Sequence, residues 1–155
     1  MLSAIRAESE KAMKIRKCPL CGKEYTGEPA INRAEQRTAD REEICPDCGT
    51  KQALTQYLIL TGGSYQTREI NSFGNTGTKA RNFLLKSYER HLHFDWGEMD
   101  EEDLCTNDIA TVSGDRLFSS YNIPDDLQDG ITDDKIWIIT EADRSVTTIL
   151  FPSEY

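Results

Sequence analysis

Two short phrases hold the residues most able to do chemistry: Cys18-Pro19-Leu20-Cys21-Gly22 and Cys45-Pro46-Asp47-Cys48-Gly49, with 23 residues between Cys21 and Cys45. Two thiolates on one tight turn offer two ligands to one ion, and a second such pair completes a tetrahedral shell. The spacing therefore predicts a structural Zn2+ site with Cys18, Cys21, Cys45 and Cys48 as its ligands. The flanking residues have mechanical reasons: proline fixes φ, and glycine lets the next amide turn back toward the sulfurs. An iron centre with four cysteine ligands uses the same phrase and is the competing assignment. Four protein ligands leave no open position for water, so chemistry at the metal itself is not expected.

Elements must deliver these pairs. A short helix is expected over residues 2–16, where Leu2, Ile5, Ala12, Met13 and Ile15 recur among charged residues. A strand-like piece at Lys23 to Tyr25 leaves the first cysteine turn, Gly27-Glu28-Pro29 turns the chain into Ala30 to Arg33, and beyond the second turn Thr50 is a candidate cap for a helix with Ala53, Leu54, Tyr57, Leu58 and Ile59 on its apolar side. A helix starting at the second cysteine pair favours a treble-clef arrangement over a plain zinc ribbon. Residues 61–78 are rich in glycine and turn formers and read as a linker. Gly74 to Lys79 has the wrong spacing for a phosphate-binding P-loop. Beyond it, Ala80, Phe83, Leu84, Ser87, Tyr88 and His91 share one helical face. Asp100 caps a second helix with Leu104, Ile109 and Val112 inward, and Gly114 ends it. Strands are expected over 116–121, 135–141 and 145–151, the middle one central because Ile136-Trp137-Ile138-Ile139 is apolar on both faces. The predicted fold is α+β: a zinc module over 1–60, a linker over 61–78, and an acidic domain over 79–155 with two helices on a three-stranded antiparallel sheet.

Charge divides the same way. Residues 1–60 hold 10 Lys and Arg against 9 Asp and Glu, whereas 61–155 hold 8 against 18, so the second half stands at -10 and accounts for the acidity behind the formal charge of -9. Such a surface repels phosphate and suits a basic protein partner, including a nucleic-acid-processing enzyme. Nucleic acid stays open only through the near-neutral zinc module. Four of the five cysteines lie in metal-type pairs, which fits a reducing compartment. Charged residues interrupt the N-terminal segment, and no stretch is long enough to span a bilayer, so the expected location is cytoplasmic without membrane association.

Each candidate catalytic grouping has a simpler structural reading. His91 and His93 point about 200° apart on a helix and cannot share a metal there, so His91 reads as a hydrogen-bonded structural residue. Thr140 to Ser145 offers Glu141 as a base and Arg144 as an anion clamp, or, more simply, a tight turn in which Asp143 caps backbone amides and Arg144 pairs with a carboxylate. Trp96 and Trp137 are expected in the core, and Cys105 as a small buried side chain.

Residues 17–56, on Gly27 to Arg33 and Ile44 to Leu54, resemble short four-cysteine zinc-binding proteins of phages and other mobile elements. Residues 70–155 are similar to a family labelled plasmid-related protein, on Arg90-His91, Asp95-Trp96-Gly97-Glu98, Asn107, Arg116 to Tyr121, Trp137 to Thr148 and Pro152 to Tyr155. The resemblance implies a mobile-element setting and carries no activity with it. Together these readings predict a noncatalytic, zinc-stabilised interaction protein. One form is an anti-defence inhibitor whose carboxylates imitate DNA phosphate. Its candidate contact residues are Asp95, Trp96, Glu98, Glu101, Glu102, Asp103, Glu141, Asp143 and Arg144. The alternatives are a small hydrolase or toxin-like nuclease using His91, Asp95, Glu141 and Arg144, and a zinc-finger DNA-binding regulator.

Overall fold

The computed structural model describes residues 14–33, 42–61, 64–67 and 77–155. Its first half is built from two minimal ribbons. Strand β1 (Arg16–Lys17) pairs antiparallel with β2 (Glu24–Tyr25), and β3 (Ala30–Ile31) with β4 (Glu43–Ile44). β1 leads straight into Cys18 and β4 into Cys45, so each ribbon delivers one cysteine pair. The expected N-terminal helix lies outside the described residues except at 14–16, where Arg16 already belongs to β1.

Helix α1 (Pro46–Thr61) starts within the second phrase. Pro46 occupies the first helical position, where its missing N–H costs nothing. The Cys45 sulfur takes the place of a capping oxygen, accepting from Cys48 N–H at 3.4 Å. Thr50 is therefore not the cap. It sits one turn inside and donates to the Pro46 carbonyl at 3.0 Å. The expected apolar side of this helix also faces the wrong way, with Leu54, Tyr57 and Leu58 exposed. The inward face is Cys48, Gln52, Thr55 and Ile59, because hydrogen bonding rather than apolar burial fixes the helix at its middle.

The second half is a sheet of β5 (Ser64–Thr67), β6 (Leu117–Asn122), β7 (Lys135–Thr140) and β8 (Val146–Leu150), in the order β5-β8-β7-β6. Strands β6, β7 and β8 are antiparallel as expected, with β7 inside. The sheet has four strands rather than three, since β5, within the stretch read as a linker, pairs parallel with β8. Its residues, Ser-Tyr-Gln-Thr, lack apolar alternation, and backbone pairing defines it.

Helix α2 (Gly77–Leu92) lays Ala80, Ser87 and His91 inward, as its periodicity predicts. Ala80 joins Tyr121, Ile136, Ile138 and Ile149 in the main core, with Phe83, Leu84 and Tyr88 packed against it. Helix α3 (Glu101–Ser113) is capped by Asp100, whose carboxylate accepts from Asp103 N–H at 2.9 Å, and it ends at Gly114. Its buried side is Asn107, Asp108, Ala110 and Thr111. Ile109 and Cys105 are exposed, against expectation. Polar residues hold this helix: Asn107 donates to the Phe118 carbonyl at 2.6 Å and accepts from Phe118 N–H at 3.0 Å, imitating a strand neighbour.

A second core, of Ile59, Phe94, Trp96, Ala110 and Leu117, joins the end of α1 to α3 and β6. Among the described residues, no helix is long and apolar enough to cross a membrane.

Candidate metal centre

The four predicted cysteines converge. Their sulfurs all lie within 4.8 Å of one another, with Cys18, Cys45 and Cys48 buried and Cys21 exposed. A tetrahedron with metal–sulfur bonds of about 2.3 Å has edges of about 3.8 Å; the Cys21 and Cys45 sulfurs are 3.8 Å apart. That separation is far beyond the roughly 2.0 Å of a disulfide, and all four are free thiols. The set thus fits a thiolate-bound metal by size and by chemistry.

The backbone around the sulfurs is arranged for negative charge. Cys45 N–H donates to the Cys18 sulfur at 3.4 Å. The first turn closes through Gly22 N–H to the Cys18 carbonyl at 2.8 Å, with Gly22 at φ 70°. Burial pushes the Cys18 thiol up, but backbone N–H groups of Cys45, Cys21 and Leu20 outweigh it and bring that thiol down to about 7. Burial pushes Cys45 and Cys48 up, and neighbouring sulfurs add to the rise at both. Four thiolates in such an enclosure require a cation between them, which is what a divalent metal supplies. Ile44 packs beside the cysteines, with Leu20, Tyr25, Ala30 and Val112 of α3 against them.

Gln52 is the residue behind the centre that apolar patterning missed. It is fully buried, donates to Asn32 Oδ1 at 2.8 Å and Thr111 Oγ1 at 3.0 Å, and accepts from Arg33 N–H at 2.9 Å. Thr55 donates to the Thr111 carbonyl at 3.0 Å and Gln56 to the Leu92 carbonyl at 3.1 Å. The recurrence of Cys48, Gln52, Thr55 and Ile59 at intervals of four, three and four was the available signal in the sequence.

The other candidates go to separate places. His91 is fully buried between Ser119 Oγ, 2.7 Å from Nδ1, and Thr140 Oγ1, 2.8 Å from Nε2, with Thr140 passing the network on to Thr147. Burial, helped by the charge of Arg144, lowers its pKa to about 3, so the imidazole is neutral. Asp95 is forked by Arg90 at 2.7 and 3.2 Å, and the same guanidinium lies 3.6 Å from Glu98 and 4.7 Å from the Tyr121 ring centre. Trp96 is buried, donating to Asp108 Oδ1 at 2.7 Å and stacking on Phe94. Trp137 is only half-buried, edge-on to Phe118 and Tyr155.

Glu141 pairs with Arg116 at 3.2 Å, and Asp143 accepts from Ser145 N–H at 2.9 Å, as the turn reading requires. Arg144 is buried at φ 61°, its guanidinium donating to the carbonyls of Asp115, Ala110 and Glu141 rather than to a carboxylate. The hydrolase set is thus distributed: His91 is sealed in the core, Asp95 and Glu141 are committed to different arginines, and Arg144 binds backbone. Glu101, Glu102 and Asp103 are exposed on the first turn of α3. In comparisons with protein families, curated proteins and solved structures, nothing matches this chain.

Proposed function

We propose that this is a noncatalytic interaction protein in which a Zn2+-stapled module of treble-clef type holds an acidic α+β half that engages a basic protein partner. The carrying observation is what the carboxylates do. Glu101, Glu102 and Asp103 are exposed, while the groups that would make an enzyme are buried or tied into corners and turns. Exposed negative charge accelerates and selects encounters with basic surfaces. One form of this function, suggested by the mobile-element resemblance, is anti-defence: carboxylates imitating DNA phosphate and occupying a host nuclease in the cytoplasm.

Zinc is the metal of this reading because a closed tetrahedral thiolate shell with no redox task suits it. Elemental analysis of the purified protein is expected to give one zinc per chain in a colourless sample. Iron at that stoichiometry would refute the zinc assignment. For the partner, the immobilised protein is expected to retain and inhibit a purified nuclease-type effector of its host, with binding weakened by salt. No binding and no inhibition of any such effector removes the anti-defence form.

A further inference from the structure

Residues of one strand alternate between faces, so Ser119 and Tyr121 point into the core while Phe118 and Ser120 point to the other side of the sheet. Trp137 stands directly opposite Ser120 in the register and shares that side. There they floor a cleft of about 540 Å³, within the range of binding sites. One wall is Glu98 to Asp103, held beside β6 by Glu98 N–H to the Ser120 carbonyl at 2.8 Å and Ser120 N–H to the Trp96 carbonyl at 3.1 Å. The other wall includes Asp133, Asp134 and Lys135.

Two features of this cleft point to an occupant. Ser120 is 4% exposed, and none of the side-chain hydrogen bonds seen among the described residues uses its hydroxyl. Among the described residues no side-chain oxygen sealed from solvent lacks a partner, so this hydroxyl opens into the cleft, beside an aromatic floor, where a ligand can bond it. The carboxylates also divide into used and unused. Glu98 accepts from Asn122 N–H, Asp100 caps α3 and Asp133 accepts from Ser153. Asp103 and Asp134 hold no partner through their carboxylates among the described residues, and Lys135 is the only cation lining the cleft.

We propose that this cleft receives an arginine side chain from a basic segment of a protein partner. A guanidinium matches what is available: flat enough to lie against Trp137, and carrying five donors for the Ser120 hydroxyl and the carboxylates of Asp103 and Asp134. A lysine ammonium fits the charge but neither stacks flat nor reaches three acceptors in one plane. The inference rests on the reading that the acidic half engages a basic protein, and it says where and through which side chain.

The test uses the full metal-loaded chain and a blocked peptide, acetyl-Gly-Arg-Gly-Arg-Gly-amide, with citrulline in place of arginine as control. The readout is the Trp137 indole N–H resonance. A saturable shift is expected with the arginine peptide and not with citrulline, while the Trp96 indole, sealed in the core, stays in place. D103N/D134N is expected to weaken binding about tenfold or more, and S120A about fivefold. No saturable Trp137 shift, a shift unchanged by D103N/D134N, or a shift given by Ca2+ but not by the peptide overturns the proposal. Failure of the wider function reads differently. If D103N/D134N leaves partner retention intact while reversing Glu101 and Glu102 abolishes it, the acidic-surface reading stands and the cleft assignment falls.

Discussion

His91 should make this protein acid-sensitive by an amount that can be worked out from its surroundings. The imidazole is fully buried and has a pKa near 3 against an ordinary 6.5. A base whose folded pKa is depressed must lose stability as pH falls: between about 3 and 6.5 the unfolded chain binds a proton that the native chain cannot. Each pH unit below 6.5 then costs about 1.4 kcal/mol, which is about 2 kcal/mol at pH 5 and about 5 kcal/mol once both states are protonated. Against a total of roughly 5–15 kcal/mol for a typical domain, that is a large share. His91→Gln isolates the effect, because the amide can still donate to one hydroxyl and accept from the other without titrating. Urea unfolding of the metal-saturated proteins from pH 5 to 8 should show the native protein losing stability below pH 6.5 about 1.4 kcal/mol per unit faster than His91→Gln. Acid release of the metal acts on both chains and cancels in the comparison. Parallel curves would mean that His91 is protonated or solvated in the folded state, and the buried network described above would be wrong.

Gly97 lies at φ 77°, and a Cβ there would stand 2.0 Å from the Ser120 carbonyl oxygen; Gly97→Ala is expected to cost at least about 3 kcal/mol and lower the melting temperature by on the order of 10 °C. A shift within about 2 °C would show that the corner at residues 94–98 can give way. Cys45→Ser removes a ligand and the sulfur that caps α1, so elemental analysis should find metal well below one per chain together with loss of helical circular dichroism. Gln52→Ala should destabilise by about 3 kcal/mol, since it deletes three hydrogen bonds, two of them buried, and strands their partners. Here the metal content should stay unchanged, which separates damage behind the centre from damage to the centre.

The convergence of the four cysteines and the central strand were legible because their physics is local. Cysteine spacing states a coordination shell, and Ile136 to Ile139 can only sit with both faces covered. The end caps of α3 were legible for the same reason, each residue acting within one turn of itself. What stayed hidden depends on partners distant in sequence. Leu54, Tyr57 and Leu58 form the apolar stripe of α1, yet the helix is fixed by Gln52 and Thr55 bonding to Thr111 on the far side of the chain. The same inversion holds for α3, where Asn107 and Asp108 are buried and Ile109 is not. Strand β5 could not be read from Ser-Tyr-Gln-Thr because its pairing is wholly supplied by β8. Arg144 was expected to seek a carboxylate, and finds three carbonyls instead.

These residues link the small cysteine module to the proposed cleft. Among the described residues the first half buries few apolar side chains around the sulfurs, so on the zinc reading metal binding, which in small modules supplies roughly 10–16 kcal/mol, fixes where α1 begins. From that point α1 runs a fixed course: Gln52 and Thr55 tie its middle to α3, Gln56 ties it to the end of α2, and Ile59 packs with Phe94 and Trp96. The Trp96 carbonyl then accepts from Ser120 N–H, and Ser120 floors the cleft. Every link is a hydrogen bond or a packed side chain. On the proposed function, a staple with no room for substrate would still govern recognition, because it would set the position of the wall against which a partner docks.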